Sequence, residues 1–242
     1  MIITSTEVQN NFGRYLKLAM EEDIIITKNG EKIAKLTKYE ETEKRQTEVK
    51  EKKSSYNYNG MEVSYEEFKK ISEKSDNRYE YIDGRIYLLA SPVVNHQRII
   101  RILLIKLDSW FNNNDCEPFT SPFDVTLYSG EEKKNNINIV QPDILVICDQ
   151  ENINEDDRYM GTPELVIEVL SKSNKNHDII RKLELYRTTG IKEYWIINPF
   201  SEEIYLYSFE KENINEIITF KNQEILKSIT FRGLKIDLHD IF

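Results

Sequence analysis

The 242-residue chain has no apolar run approaching 18 residues and opens on no signal-peptide pattern. This argues against membrane-spanning helices and a membrane partner and sets the expectation of a soluble, cytoplasmic protein. Cysteine is scarce: Cys116 and Cys148 stand in unrelated contexts with no CxxC spacing. They suggest no disulfide framework, and a reducing compartment is the default. No Cys/His cluster offers a zinc-type ligand set. Net positive charge is also missing, the formal balance being −9. Residues 1–56 carry 11 basic and 10 acidic side chains, so the remainder holds 22 of the 33 basic and 32 of the 42 acidic, a balance of −10. A part this acidic does not coat nucleic acid non-specifically, because phosphate contacts need Lys and Arg. It remains compatible with a site where carboxylates hold a cation that faces a phosphate.

What is present falls into two modules. In TSTEVQNNFGRYLKLAM, Ser5 or Thr6 can cap a helix whose apolar positions Val8, Phe12, Leu16 and Ala19 follow helical spacing. DIIITKNGEKIAKLT then reads as a hairpin, with Asn29-Gly30 supplying the positive φ of a two-residue turn between strands at 24–27 and 32–36. An αββ unit of forty residues buries too little surface alone, so self-association is expected. The helix followed by IIITKNGEKIAKL resembles the N-terminal half of the Phd/YefM antitoxins, over residues 1–41. The resemblance implies a homodimer that binds operator DNA, with a toxin as a further possible partner, although other sequence here takes the place of the toxin-wrapping tail. Arg14, Lys28 and Asn29 are the candidate DNA contacts by that resemblance, or else a solvated helix charge and turn chemistry. Residues 42–59 are highly charged and nearly free of apolar side chains, the composition of a linker.

From residue 60 the pattern is α+β with an α/β core. Ser64 to Glu67 matches a capping box and opens a helix to about Lys74. RYEYIDGRIYLLA turns at Asp83-Gly84. His96, Ile99, Ile100, Leu103, Leu104, Leu107, Trp110 and Phe111 mark a long amphipathic helix. Strands are expected near 119–127, 139–148, 164–170, 193–197, 203–209, 216–220 and 228–231, with a helix at about 175–189. A helix between the strands at 164–170 and 193–197 suggests a crossover onto a mixed sheet.

Within PELVIEVLSKS, Glu168 is one acid among Leu165, Val166, Ile167, Val169 and Leu170, in a run apolar on both faces. An unpartnered buried acid costs several kcal/mol, so something must pair with it or bind there. Asp143 in QPDILVI has the same setting, and Glu80 in RYEYIDG is a third acid. Two acids on adjoining buried strands call for a cation, and oxygen ligands favour Mg²⁺ over Zn²⁺, with Mn²⁺ as a substitute. Position 170, where a lysine would complete E-x-K, is leucine. Lys182, one step from the apolar stripe Ile179, Leu183 and Tyr186, can reach the site by laying its stem along apolar surface, or can pair with Asp178 one turn earlier. Tyr186, Tyr194 and Trp195 read as core aromatics.

YEYIDG, SPVVNH, QPDILVI, PELVIEVLS, a lysine before LELYRTTGIKEYWIINP, and FRGLKIDLHDIF occur in order across residues 60–242. Together they resemble the Uma-type restriction-endonuclease-like family, a branch of the PD-(D/E)XK nucleases. The resemblance implies a mixed sheet flanked by helices. It further implies Asp143 and Glu168 as Mg²⁺ ligands, Glu80 as a third carboxylate in the catalytic and metal set, Lys182 as a migrated catalytic lysine, and His96 as an auxiliary group or a core histidine. The function expected is Mg²⁺-dependent cleavage of DNA by an endonuclease tethered to a DNA-binding module. The alternative is a non-catalytic dimeric regulator with a nuclease-like scaffold.

Overall fold

A computed structural model describes residues 1–10, 12, 15, 18–20, 22–37, 58–112, 115–129, 136–155, 158–171 and 176–242. The chain divides into two compact units, 1–52 and 53–242. The expected linker at 42–59 falls almost wholly outside the described residues.

In the first unit, strand β1 (Ile2–Thr4) leads directly into helix α1 (Ser5–Asn10), and β2 (Ile24–Lys28) and β3 (Glu31–Leu36) form the hairpin. β1 pairs in parallel with β2, and β2 antiparallel with β3. The unit is therefore βαββ, one strand more than the sequence suggests, because three residues are too short for a period-2 pattern to register. The N-terminal helix cap also differs: the Glu7 amide donates to Thr4 Oγ1 at 3.2 Å, so Thr4 takes the role expected of Ser5 or Thr6. Asn29 (φ 53°) and Gly30 (φ 85°) make the two-residue turn. Val8, Tyr15, Ala19 and Ile24 are the buried apolar cluster.

The second unit opens on α2 (Tyr65–Glu73), whose Ser64–Glu67 capping box is complete on both sides. β4 (Tyr79–Ile82) and β5 (Arg85–Leu88) turn at Asp83 and Gly84, both with positive φ. They join β7 (Val125–Tyr128) and β8 (Ile137–Val140) in a four-stranded sheet of order β5-β4-β8-β7. The larger sheet has the order β13-β12-β11-β10-β9-β6. Its strands are β6 (Glu117–Thr120), β9 (Ile144–Ile147), β10 (Leu165–Val169), β11 (Glu193–Asn198), β12 (Glu203–Glu210) and β13 (Asn213–Lys221). β10 and β11 are parallel, and the other neighbours antiparallel, which makes the sheet mixed as expected.

Two helices cover the two faces. On one, α3 (Val94–Phe111) packs Ile99, Ile100, Leu103, Leu107 and Phe111 against Ile144, Val146, Leu165, Ile167 and Trp195. On the other, α4 (Asn176–Thr188), the crossover between β10 and β11, places Leu185 and Tyr186 against Leu145, Ile147, Val166, Tyr194 and Ile196. Odd and even positions of each strand thus go to opposite helices, and residue 168 shares the α4 side with Val166.

Four sequence expectations fail, two at prolines and two because of partners distant in the chain. The strand at 119–127 breaks at Ser121-Pro122 and that at 139–148 at Gln141-Pro142, since proline has no N–H for the ladder. Residues 228–231 are not a strand; the hairpin there is β14 (Ile225–Lys227) with β15 (Lys235–Asp237). Cys116 and Cys148, expected to be unpaired, form a disulfide with Cα atoms 4.0 Å apart. Far apart in sequence, they are brought opposite by the β6–β9 register, which sets Glu117 beside Ile147.

Candidate active site

The register of β9 against β10 creates the site. Ile144 lies opposite Ile167, so Asp143, just before β9, falls beside Glu168 and Val169. The Val169 amide donates to Asp143 Oδ2 at 2.8 Å. His96, from the first turn of α3, places Nε2 3.0 Å from that same oxygen.

Glu168 faces α4. There Lys182 Nζ and the Tyr186 hydroxyl both donate to its Oε1 at 2.9 Å. Lys182 lies at the centre of the buried helix face, with Leu185 and Tyr186 at i+3 and i+4, rather than at its margin. Its ammonium also donates to Glu80 Oε1 at 2.9 Å, and this oxygen accepts the Gln141 amide at 2.9 Å. Glu80 is only 1% exposed, Lys182 6% and Glu168 7%, which makes the chain Glu80–Lys182–Glu168–Tyr186 a buried network. Such a network is tenable because its members satisfy one another.

The segment Gln141-Pro142-Asp143 is also where the polypeptide passes from the smaller sheet to the larger one. A cleft of about 450 Å³ opens there, with Asp143, Glu168, Lys182 and His96 in its wall. Arg78, Ser121 and Gln141 also line it.

With Glu80 behind the cleft counted, three acids stand against the two cations Arg78 and Lys182 at this site. Burial pushes the Glu168 carboxyl up to about 8; Lys182 opposes the rise, and the nearby charges of Asp143 and Glu80 add to it. Burial, with Glu168 beside it, drives the Tyr186 hydroxyl well above its ordinary value, so it remains a neutral donor.

The hydrogen bonds described use Oδ2 of Asp143 and Oε1 of Glu168, leaving each carboxylate one further oxygen. Two hard oxygen donors side by side in an open cleft suit Mg²⁺, which takes one or two carboxylates and keeps several waters. Among the described residues no three His, Cys, Asp or Glu side chains gather as a closed cage. Glu80 does not line the cleft, and its bonded oxygen faces Lys182 and Gln141. The geometry gives no support to the expectation of Glu80 as a metal ligand and makes it instead the anchor of the lysine.

The site thus brings together Glu80, His96, Asp143, Glu168 and Lys182. The candidate DNA contacts Lys28 and Asn29 are exposed at the hairpin of the first unit, and Arg14 lies outside the described residues. The side chain of Asp178, the alternative partner of Lys182, is likewise outside them. Tyr186 reads in the sequence as a core aromatic, yet its hydroxyl holds a candidate ligand. The signal available was its i+4 spacing from Lys182.

Comparison with known proteins fits this geometry. Residues 65–239 match the model of the Uma2 family, described as "Putative restriction endonuclease". Residues 1–57 match "Antitoxin Phd_YefM, type II toxin-antitoxin system". Two curated relatives come from Synechocystis sp. (strain ATCC 27184 / PCC 6803 / Kazusa). Uncharacterized protein slr1290 is 29% identical over 150 residues, covering 60% of this chain and 73% of its own. Uncharacterized protein sll1609 is 28% identical over 143 residues, covering 58% and 77%. A solved structure from Anabaena variabilis ATCC 29413, titled a "putative nuclease belonging to DUF820", superposes with a TM-score of 0.61 at 19% identity, covering 74% of this chain and 97% of its own. At that identity the likeness is one of fold, a nuclease-type fold with helices flanking the sheet. Since its family match spans well over half of the sequence, the chain belongs to the Uma2 family of restriction-endonuclease-like proteins and carries an antitoxin-like segment at its N-terminus.

Proposed function

We propose that residues 60–242 form a Mg²⁺-dependent DNA endonuclease, with Mn²⁺ as an alternative metal. The observation that carries this reading is the meeting of Asp143, Glu168 and Lys182 in one cleft at the end of the β9–β10 pair. Asp143 and Glu168 are the residues that would hold the ion through their remaining oxygens. Bound there, Mg²⁺ would act as a Lewis acid on the phosphodiester and provide hydroxide at neutral pH. His96 and the Val169 amide fix the orientation of Asp143. Tyr186 and Lys182 do the same for Glu168. Glu80 holds the Lys182 ammonium in place, so that it can orient the attacking water and steady charge developing on the phosphate.

The test is cleavage of plasmid DNA by the purified chain with Mg²⁺, Mn²⁺ or EDTA. Cleavage is expected with either metal and not with EDTA. Asp143→Ala and Glu168→Ala should each lower the rate by about a thousandfold, as loss of several kcal/mol of metal-derived stabilisation requires. Unchanged cleavage by the double variant would exclude the assignment.

The antitoxin match supports a second, compatible role for the first unit: a dimeric module that binds DNA, with Arg14, Lys28 and Asn29 as its candidate contacts and a toxin as a possible further partner. Were the larger unit only a scaffold, the chain would be a non-catalytic regulator. It would then shift its own promoter DNA in a gel yet cut no DNA with any divalent ion.

A further inference from the structure

We propose that Arg78, held by Ser121, forms a phosphate-binding subsite in the cleft that grips the two non-bridging oxygens of a nucleic-acid backbone phosphate; this rests on the nuclease reading of the same cleft. Arg78 precedes Glu80 by two residues, so strand alternation sends both side chains to the same side. The Glu80 side chain reaches Lys182, whereas the half-buried Arg78 side chain lines the cleft itself. Its Nη1 donates to Ser121 Oγ at 2.8 Å, and Ser121 is tied to the site, its amide donating to the Asp143 carbonyl at 3.3 Å. The Arg78 carbonyl accepts the Leu89 amide at 3.0 Å, which fixes the backbone of Arg78.

Among the described residues no carboxylate lies within ion-pair distance of the Arg78 guanidinium, although the chain is rich in acids. A neutral serine accepts one of its five N–H groups and sets its plane, leaving a fork suited to two phosphate oxygens. The charge of the site, with Glu80 behind the cleft included, agrees. Counted with their carboxylates ionised, Asp143, Glu168 and Glu80 outnumber the cations Arg78 and Lys182 by one. A dication leaves an excess of one positive charge, which one phosphodiester balances. Without Arg78 the dication would do no more than neutralise the protein, and nothing in the balance would favour an anionic substrate.

The experiment uses the full chain and its Arg78→Gln, Arg78→Lys and Ser121→Ala variants. Titration calorimetry with thymidine 3′,5′-bisphosphate in Ca²⁺ reads binding, and titration with Mn²⁺ alone reads the metal site. Arg78→Gln should weaken bisphosphate binding about tenfold or more while leaving Mn²⁺ affinity unchanged, the loss expected for a charge-assisted bidentate contact. Arg78→Lys should recover part of this, and Ser121→Ala should fall between wild type and Arg78→Gln. In Mg²⁺-dependent cleavage the Arg78→Gln defect should reside largely in KM. Bisphosphate binding by Arg78→Gln equal to wild type, or no binding by wild type, overturns the subsite. A wild-type chain that cuts DNA with binding indifferent to Arg78 refutes the subsite alone. One that cuts nothing, yet binds in an Arg78-dependent way, refutes the nuclease reading alone.

Discussion

Glu168 accepts from both Lys182 and Tyr186 through a single oxygen, close to the charges of two other acids, Asp143 and Glu80. Its carboxyl is raised from 4.5 to about 8, chiefly by burial, so the group resists ionisation in the folded, metal-free chain. Below pH 4.5 the folded and unfolded chains both keep the proton; between there and about 8 only the folded chain does. Stability contributed by this group is therefore highest at the acid side, declines as pH rises through that window, and is level beyond it. Urea denaturation of the metal-free chain at successive pH values should show the decline, and Glu168→Gln should remove it; parallel slopes for the two proteins would assign it elsewhere. Tyr186 acts on the same carboxylate as a donor that stays protonated. Tyr186→Phe should weaken Mn²⁺ binding by about tenfold, the usual consequence of removing a partner that orients a ligand. Calorimetry measures it, and an unaltered affinity would make the tyrosine merely a core aromatic.

Among the elements, short breaks rather than regular strands decide the chemistry. Pro142 ends β8 and lets Gln141 and Asp143 serve two sheets: the Gln141 amide holds Glu80 of the smaller one, and Asp143 meets Val169 of the larger. A second device holds the loop after β14. Glu193, wholly buried on β11, accepts from the amides of Ile229 and Thr230 and from Ser228 Oγ through Oε2, while Oε1 accepts from Trp195 Nε1. The run Ile229-Thr230-Phe231 reads as a strand in isolation, but the Ile229 and Thr230 amides bond to this carboxylate and the Phe231 amide to Ser228 Oγ instead of a ladder. Glu193→Ala would leave several donors without a partner and should destabilise the chain by about 3 kcal/mol in urea denaturation. A loss within ordinary surface values, below about 0.5 kcal/mol, would show that water replaces the carboxylate.

At the scale of the whole molecule, the two units differ in how much they bury. Among the described residues, the first has one small cluster around Ile24 and leaves Ile2, Phe12, Met20 and Ile33 exposed, whereas the second packs both faces of a six-stranded sheet. Apolar surface of that kind on so small a unit favours self-association. The full chain is expected to sediment as a dimer and residues 58–242 as a monomer. A monomeric full chain at micromolar concentration would contradict the expectation.

Much of this molecule is written in local patterns. The capping box at Ser64, the turns at Asn29-Gly30 and Asp83-Gly84, and the buried faces of α3 and α4 follow from caps, positive φ and helical spacing, each a matter of a few neighbouring residues. Asp143, Glu168 and Lys182 were legible for the same reason, as polar groups in settings where a polar group needs an explanation. What depended on distant partners was not legible. The Cys116–Cys148 bridge and the meeting of Asp143 with Val169 follow from strand register, which brings together residues many positions apart. Glu80 reads as a ligand until its position behind Lys182 is known. The sequence by itself determined the helices, most of the strands and which acids are out of place. Tertiary structure alone decided their partners, because a buried charge takes its role from the groups packed against it rather than from its neighbours in the chain.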